Sequence, residues 1–350
     1  MEKKKVAIIF GGCSTEYEVS LQSAYSVIMN MSSERYEVVL LGITRDGKWF
    51  RYYGNLNKIP VDTWHLDKNQ CIQATISPSR DIHGILEFYG KEVKATWIDI
   101  VFPILHGKNG EDGTVQGLIE LAGIPLVGCD SLSSALCMDK DRAHKLAALA
   151  GVNTPSAVVF SYKLSDDLIL AQTKHLTYPL FVKPVKAGSS FGITKVYKEE
   201  QLSEAVKNAF EHDNQVIIEE NIDGFEVGCA VLGNMDLIIG EVDEIELTEG
   251  FFDFTEKYTL KSSKIHMPAR INIELANKIK KTAVAIYRAL GCSGFARVDM
   301  FIAPSGEIVF NEVNTIPGFT SHSRYPNMMK GIGLQFTDIV DKLIQLGLEK

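Results

Sequence analysis

The clearest chemical pattern in the sequence is a set of four polar side chains in two strand-like runs on either side of residue 305. A Ser-Gly pair between the runs predicts a two-residue hairpin turn. A symmetric turn places Asp299 opposite Glu312 and Arg297 opposite Asn314. Because side chains alternate between the two faces of a strand, all four polar residues are expected on one face.

The chemistry expected of this hairpin depends on what each face carries. The same register puts Phe301 opposite Phe310 on the polar face. The other face is expected to be core and carries Val298, Met300, Ile302, Val309 and Val313. Carboxylate and amide oxygens are the ligands that Mg²⁺ prefers when it bridges nucleotide phosphates. A solvated face with a surface ion pair is the alternative interpretation.

A second pattern is the loop at residues 186–192, which lies between two predicted strands and is rich in glycine and serine. Lys183 ends the first of these strands. Small residues let backbone N–H groups approach an anion, and hydroxyl and ammonium groups add donors, so this loop could bind phosphate. It does not match the Walker A spacing, and an ordinary flexible turn is the alternative.

Charge and composition exclude several classes of function. The 350 residues include 36 Lys and Arg against 44 Asp and Glu, for a net charge of −8. With no long basic stripe, binding to nucleic acid or to an anionic membrane surface is not expected. No run approaches the ~18 apolar residues of a membrane span, and the first apolar run is too short for a signal peptide, so a cytoplasmic location is expected. The six scattered cysteines favour neither a disulfide framework nor a zinc site.

The elements that must position these residues alternate between strands and helices. Strands at 6–10, 37–43 and 98–105, with a helix after Thr15, predict a doubly wound (Rossmann-like) α/β domain over residues 1–128. A helix from about residue 133 to 151 opens a central unit, 129–218, with strands at 157–160, 180–183 and 193–197. The third unit, 219–350, contains the polar hairpin and a helix at 273–290.

Two further motifs support no function by themselves. The opening Gly11-Gly12 lacks the third glycine and the acidic partner of a dinucleotide fingerprint, so a nicotinamide cofactor is not expected. His106 has no metal-ligand spacing around it and is interpreted as a structural loop histidine.

Together these segments resemble the D-alanine–D-alanine ligase family of ATP-grasp enzymes over nearly the whole chain. The matching stretches are Gly11-Gly12-x-Ser-x-Glu16-x-Glu-Val-Ser, His106-Gly-x-x-Gly-Glu-Asp-Gly-x-x-Gln-Gly, Met138-Asp-Lys140, Phe181-Val-Lys183-Pro-x-x-x-Gly-Ser-Ser, Lys257-Tyr258, Gly294-x-x-Arg297-x-Asp299 and Asn311-Glu312-x-Asn314-Thr-x-Pro-Gly318. The resemblance implies an α/β ATP-grasp fold, an ATP-dependent ligase and, in the family's usual form, a homodimer.

The resemblance also implies a nucleotide and metal site. Two Mg²⁺ or Mn²⁺ ions would be carried by the hairpin residues Asp299, Glu312 and Asn314. Lys140 and Lys183 would hold the phosphates of ATP. Glu226 would bind the ribose, and the rings of Phe181 and Phe301 would enclose the adenine. The other residues implied for ATP are Ser190, Glu219, Glu220, Ile222, Lys257 and Asn311.

For the amino acids, the resemblance implies that Glu16 holds the ammonium group of the first D-alanine. Ser189 and Tyr258 would join Glu16 in a hydrogen-bonded triad over the site. Arg297 and the backbone N–H of Gly318 would stabilise the tetrahedral oxyanion.

One departure from the family bears on the second substrate. After Ser323, whose hydroxyl would bind a carboxylate, the family usually has leucine, and this chain has Arg324; Phe252 stands where tyrosine is common. Both features are similar to the D-alanine–D-serine ligases of inducible vancomycin resistance, the VanC and VanG kind. Tyr258 stands where relatives that use D-lactate have histidine. The resemblance therefore implies D-alanine and D-serine as substrates, and a housekeeping D-alanine–D-alanine ligase, with Arg324 as a surface residue, is the alternative.

Overall fold

The computed structural model describes residues 2–188, 191–247 and 263–350. Three β-sheets follow one another along the chain, each covered by helices. No helix within those ranges is long and apolar enough to cross a membrane.

The first sheet has seven strands in the order β6-β5-β4-β3-β2-β1-β7. Its parallel part is the doubly wound core that the sequence predicts: β1 (Lys4–Gly11), β2 (Tyr36–Ile43) and β7 (Ile100–Ile104), with helices α1 (Tyr17–Met29) and α2 (Thr114–Leu121). An antiparallel extension fills the stretch for which the sequence predicts no elements: β3 (Trp49–Tyr52), β4 (Cys71–Ile76), β5 (Gly84–Tyr89) and β6 (Glu92–Trp97).

The second sheet has the strand order β10-β9-β11-β8. Its elements are β8 (Ala157–Phe160), β9 (Leu180–Pro184), β10 (Thr194–Val196) and β11 (Val216–Glu220), with α5 (Asp166–Thr173) and α6 (Leu202–Ala209). The third sheet has the order β14-β13-β12-β15-β16. Its elements are β12 (Phe225–Leu232), β13 (Ile238–Leu247), β14 (Ser263–His266), β15 (Phe295–Ile302) and β16 (Ile308–Asn314), with α7 (Ile273–Ala289), α8 (Arg324–Gly331) and α9 (Phe336–Leu348).

The single helix predicted from residue 133 to 151 is wrong, because the structure has two helices there. Helix α3 (Ser131–Met138) stops and α4 (Lys140–Leu149) begins at Asp139, whose backbone is extended and whose side chain accepts a hydrogen bond from the N–H of Arg142. An aspartate with this geometry is a helix N-cap. The break puts the largely buried Lys140 in the first turn of a new helix, beside the cavities described below.

The hairpin of β15 and β16 has the predicted polar pairing but not the predicted turn. Asp299 pairs with Glu312 and Arg297 with Asn314, as expected. The loop is one residue longer than a two-residue turn, because Ala303 bonds Glu307 across it. A β-bulge with Asn311 as the extra residue compensates, since the register shifts by one between Asp299 and Met300.

The bulge overturns the predicted faces near the turn. Phe301 pairs with Val309 rather than with Phe310. Phe310 is fully buried in the core with Val298 and Met300, not on the polar face. Strict alternation of side chains would put Phe310 on the polar face, and the one extra residue in β16 reverses the faces beyond it.

An aromatic cluster joins the first sheet to the last part of the chain. The rings of Phe102 and Phe295 lie 6.2 Å apart edge to face, and Phe319 stacks on Tyr325 at 5.7 Å. All four rings are buried in one core. This core holds the segment between β16 and α8 against the first domain.

The Asp139 cap predicts a measurable stability effect. Asp139→Ala should lower the free energy of unfolding by about 1 kcal/mol, because the N–H of Arg142 loses its acceptor. Asp139→Asn keeps an acceptor oxygen and should lose much less. Urea denaturation of both variants tests this, and equal stability of the two would contradict the capping role.

Candidate active site

The site is built on one row of residues that runs across four strands of the third sheet. Asp243 on β13 pairs with Gly228 on β12, Gly228 pairs with Asp299 on β15, and Asp299 pairs with Glu312 on β16. Directly paired residues lie on the same face of a sheet. Three carboxylates therefore point to one side, and the glycine leaves a gap between two of them.

Arg324, the first residue of α8, places its guanidinium in this gap. Its Nε and Nη2 atoms each donate to Asp243 at 2.7 Å, and its Nη1 lies 3.3 Å from Glu226 and 3.4 Å from Asp299. A Cβ atom on Gly228 would come within 2.3 Å of Nη2. The sheet thus accepts the guanidinium only because residue 228 has no side chain.

The charge of Arg324 is sustained by these carboxylates. Burial opposes the charged form, but Asp243, Asp299 and Glu226 outweigh it and raise the pKa of Arg324 well above the ordinary guanidinium value. Asp243 itself is almost fully buried and also accepts from the N–H of Gly228 at 3.0 Å. A buried carboxylate of this kind requires its partner.

Arg297 and Asn314 complete the surroundings of Asp299. Arg297 donates to Asp299 from Nε at 2.8 Å and from Nη2 at 2.7 Å, and the amide nitrogen of Asn314 donates to it at 3.0 Å. The carbonyl oxygen of an amide oriented in this way remains an acceptor. Asp299, Glu312 and Asn314 thus meet at one end of the row, as the sequence predicts.

These three residues have the chemistry of a magnesium site. Two carboxylates and an amide oxygen are hard ligands, and Mg²⁺ completes its shell with water and phosphate oxygens. Each carboxylate oxygen has two acceptor positions: the bonds from Nη2 of Arg297 and from Asn314 fill both positions of Asp299 Oδ2, whereas Oδ1 accepts from Nε of Arg297 and keeps its second position for a metal. Among the described residues, no group of three or more His, Cys, Asp or Glu side chains is arranged to hold a metal by itself.

A cavity of about 520 Å³ opens between the second and third sheets, and Glu312 of this row lines it. Every described residue that the sequence predicts for ATP lines it: Lys140, Phe181, Lys183, Glu219, Glu220, Ile222, Glu226, Phe301 and Asn311. The structure also adds Lys195 and Arg270, which the sequence argument missed.

The lysines of this cavity are held by buried carboxylates and carbonyls. Lys183 donates to Glu219, which is 2% exposed. Burial would raise the pKa of Glu219, but the nearby Lys183 and His144 lower it overall. Lys140 donates to the carbonyl of Ala187 at 2.8 Å, with its Nζ 3.9 Å from Glu312. The cavity therefore presents fixed ammonium groups beside the candidate metal ligands.

A second cavity, of about 260 Å³, adjoins the first, and Lys140, Ala187 and Glu312 line both. It also brings together Glu16, Arg297, Gly318, Ser323 and Arg324, all of them predicted site residues. A Cβ on Gly107 or on Gly188 would lie 2.6 or 3.0 Å from an oxygen of Glu16. The carboxylate of Glu16 is thus closely flanked by two glycine backbones.

Glu111 is a site residue that sequence reasoning missed. It lines the same cavity and accepts from the N–H of Gly107 at 2.9 Å and of Ile316 at 3.0 Å. Burial, and then the charge of Glu16, raise the pKa of Glu111 to about 8. Its place in the matched His106 motif was the available signal.

Asp243 is a further site residue that the sequence does not predict. Its partner Arg324 lies 81 positions away in the sequence. No local spacing connects the two, so only the sheet register could have revealed the pair.

Ser323 and Gly318 lie together at the start of α8. Ser323 precedes the helix, and its Oγ accepts from the N–H of Thr320 at 3.0 Å. A Cβ on Gly318 would lie 3.1 Å from this oxygen. A helix N-terminus with a hydroxyl beside it is suited to bind a carboxylate.

Five predicted residues lie outside the described part of the chain, so their roles stay predictions. They are Ser189, Ser190, Phe252, Lys257 and Tyr258.

Comparison with known families gives the lineage of this fold and site. Residues 5–129 match the model for the D-ala D-ala ligase N-terminus, and residues 147–345 match the model for the D-ala D-ala ligase C-terminus. The chain belongs to the D-alanine–D-alanine ligase family. It is therefore a ligase with the ATP-grasp fold, of a family that uses ATP and divalent metal ions.

Individual relatives show how the chain sits within the family. It is 45% identical over 355 residues to the vancomycin B-type resistance protein VanB of Enterococcus faecalis, with all of both chains covered. It is 44% identical to a D-alanine–D-alanine ligase of Caldicellulosiruptor bescii, covering 100% of this chain and 96% of the other. The solved structure of the VanG D-Ala:D-Ser ligase from Enterococcus faecalis has 61% identity and a TM-score of 0.93, covering 99% of this chain and 100% of that one.

The hairpin geometry predicts the effect of removing one candidate metal ligand. Glu312 lies on the polar face, so Glu312→Gln should fold normally. Loss of several kcal/mol of charge stabilisation on the phosphoryl group should lower turnover by about a hundredfold or more.

Turnover as a function of magnesium concentration, with thermal unfolding as the check on folding, tests this expectation. The matched control is Glu307→Gln, an exposed glutamate beside the loop of the same hairpin, which should keep normal activity. Near-normal turnover of Glu312→Gln at saturating magnesium would show that the hairpin is not the metal site.

Proposed function

We propose that this enzyme joins D-alanine to D-serine at the expense of ATP and so supplies altered peptidoglycan precursors in vancomycin resistance. The observation that carries the proposal is the buried guanidinium of Arg324 beside Ser323, in the second cavity, which we infer to hold the amino acids. The 61% identity to a D-Ala:D-Ser ligase supports it. The cytoplasmic location and the homodimer expected from the sequence belong to the same proposal.

The proposed reaction has two steps. A carboxylate oxygen of the first D-alanine attacks the γ-phosphorus of ATP, the bond to the β,γ-bridging oxygen breaks, and ADP leaves. The amine of the second amino acid then attacks the acyl phosphate, loses a proton, and inorganic phosphate leaves. A bound divalent metal neutralises charge on the phosphoryl oxygens.

The protein's side chains divide these tasks between the two cavities. Lys140 and Lys183 would hold phosphate oxygens on the nucleotide side. Glu16 would hold the first ammonium group. Arg297 and the N–H of Gly318 would donate to the oxyanion of the tetrahedral intermediate, where fixed donors act most strongly.

The structure changes how Arg324 would select D-serine. From the sequence, Arg324 is expected to donate to the substrate by itself, but Nε and Nη2 already donate to Asp243, and Nη1 donates to Glu226 at 3.3 Å. A guanidinium has five N–H groups, and those left after these three bonds would donate to a substrate hydroxyl. We infer that Asp243 holds the guanidinium in place, so that the pair together forms the polar side of the second-substrate pocket.

Such a polar pocket would favour D-serine for a physical reason. An apolar pocket rejects an added hydroxyl by only about a hundredfold, whereas a site built to bond a hydroxyl is left with unpaired groups when the hydroxyl is missing. A D-alanine–D-alanine ligase remains the second candidate, because a relative of that name is 44% identical over the chain. Tyr258, through the family resemblance, argues against D-lactate.

Competition between second substrates tests the assignment. With ATP, magnesium and D-alanine plus an equal concentration of D-serine, the wild-type product should be mainly D-alanyl-D-serine; with D-lactate in place of D-serine, little D-alanyl-D-lactate should form. Mass spectrometry of the products gives the ratio. A product that is mainly D-alanyl-D-alanine would overturn the D-serine assignment. Formation of any dipeptide would still support ATP-dependent ligation of D-amino acids.

Removal of Arg324 should shift the substrate preference, provided that Asp243 is changed with it. Arg324→Leu alone leaves a buried carboxylate without its partner, which costs about 3–5 kcal/mol of stability. In Arg324→Leu combined with Asp243→Asn, kcat/KM for D-serine should fall about ten- to a hundredfold and D-alanine use should improve. Asp243→Asn alone keeps the arginine and serves as the control. Equal ratios of D-alanyl-D-serine to D-alanyl-D-alanine in the wild type, in Asp243→Asn and in the double variant would show that Arg324 and Asp243 do not select the second substrate.

The raised pKa of Glu111 predicts a pH effect on the first substrate. Below about pH 8 Glu111 is protonated, and the ammonium group faces the charge of Glu16 alone; above it, two carboxylates attract the ammonium. At saturating ATP, kcat/KM for the first D-alanine should therefore increase as the pH rises through about 8. Glu111→Gln cannot ionise and should lack this inflection in a pH series. Its persistence in the variant would assign the inflection to another group.

A further inference from the structure

The segment from Ile316 to Phe319 is tied to the first domain at both ends. The N–H of Ile316 donates to Glu111 at 3.0 Å, and its carbonyl accepts from Nδ1 of His106 at 2.9 Å. The N–H of Phe319 donates to Oγ of Ser23, on α1, at 3.2 Å. Both polar groups of Ile316 and the N–H of Phe319 are thus bound by residues more than 200 positions away in the sequence.

The bonds on Ser23 and His106 form one directed chain. The carbonyl of Ile316 can only accept, so Nδ1 of His106 carries the hydrogen. Nε2 then accepts from the hydroxyl of Ser23 at 3.2 Å, and Ser23 in turn accepts from Phe319. Burial lowers the pKa of His106, which agrees with the neutral ring that these hydrogen bonds require. Both ring nitrogens are therefore bonded within the protein.

Gly318 lies between the two bound residues. Glycine has the greatest backbone freedom of any residue, so its N–H has a defined direction only if its neighbours fix it. Pro317 restricts one dihedral on one side, and the bonds on Ile316 and Phe319 restrict the rest.

We propose that Ser23 and His106, with Glu111, are positioning residues that fix the direction of the Gly318 N–H toward the reacting carbonyl. This inference rests on the proposed acyl-phosphate ligation, since it gives Gly318 an oxyanion to bind. It does not depend on which second amino acid is used. An oxyanion donor displaced by about 1 Å can cost about a hundredfold in rate.

The test uses buried serines of the same helix as a matched pair. Ser23 and Ser20 are both fully buried on α1, and each bonds backbone groups, but Ser20 bonds Gly11 and Ile104 rather than the 316–319 segment. Ser23→Ala and Ser20→Ala should therefore lose similar stability. Only Ser23→Ala should lower kcat, by about ten- to a hundredfold, with KM for ATP within about twofold of wild type.

Two histidine variants separate position from packing. An asparagine amide nitrogen can take the place of Nδ1, so His106→Asn keeps a donor for Ile316, whereas His106→Leu keeps the bulk and loses the donor. We expect His106→Asn to retain clearly more kcat than His106→Leu. We also expect a larger share of phosphate release without dipeptide in Ser23→Ala and His106→Leu, because the acyl phosphate persists longer and meets water.

The outcomes distinguish this inference from the proposed function. If the wild-type enzyme forms no dipeptide from D-amino acids, the proposed ligation fails. If it ligates, but Ser23→Ala matches Ser20→Ala in kcat, or the two histidine variants are equal, then these residues only support the fold and the positioning role is wrong.

Discussion

A guanidinium enclosed by carboxylates is the interaction on which the site depends. Arg324 neutralises Asp243 and lies within 3.4 Å of both Glu226 and Asp299. Without Arg324, the carboxylates of Asp243, Glu226 and Asp299 would lie near one another with no cation from α8 between them. Their mutual repulsion would destabilise the site. Because the guanidinium comes from the first residue of α8, the start of that helix, and Ser323 before it, is fixed at the same time.

The same interaction connects the two cavities electrostatically. Glu226 lines the first cavity and Arg324 lines the second, and Nη1 of Arg324 lies 3.3 Å from Glu226 and 3.4 Å from Asp299. Around this point four carboxylates (Glu226, Asp243, Asp299 and Glu312) are paired with three cations (Arg297, Arg324 and Lys140), so most of their negative charge is neutralised within the protein. A bare divalent cation therefore meets little net attraction there. A cation that arrives with the negative charge of a nucleotide meets ammonium and guanidinium groups suited to the phosphates, which is how Mg²⁺ is usually held beside phosphate groups.

The sequence predicts the polar pairs of the hairpin correctly, but only because two departures from the simple hairpin cancel. The predicted pairs Asp299–Glu312 and Arg297–Asn314 are observed, although the turn is one residue longer than expected. The bulge at Asn311 restores the register, so the two departures from the simple hairpin cancel at Asp299 and Glu312 and remain visible only toward the turn, at Val309 and Phe310. Neither departure has a local signal strong enough to predict. A bulge is determined by the fit of the strand to its neighbours, and Asn311 also accepts from His144 on α4.

Contacts between segments that are distant in the sequence are the main feature that the sequence does not predict. Ser323 and Arg324 are adjacent in the sequence and were identified together, yet Asp243 belongs to another strand and was not. The break at Asp139 was missed for a different reason: its capping role is local, but the helical pattern continues on both sides and hides it. Family motifs therefore identify individual site residues, whereas the partners that hold these residues are visible only in the folded structure.

Missing side chains are as informative here as present ones. Gly228 admits the guanidinium, Gly107 and Gly188 admit the carboxylate of Glu16, and Gly318 approaches Ser323 Oγ. At Gly107 the backbone is also in the left-handed region, at φ +69°, where a side chain would be strained as well as crowded. At these positions a charged or polar group lies so close to the glycine that a Cβ atom could not be added without displacing it. The proposed acyl phosphate would need protection from water, and glycine is the residue that lets charged groups and backbone approach closely enough for a closely packed site.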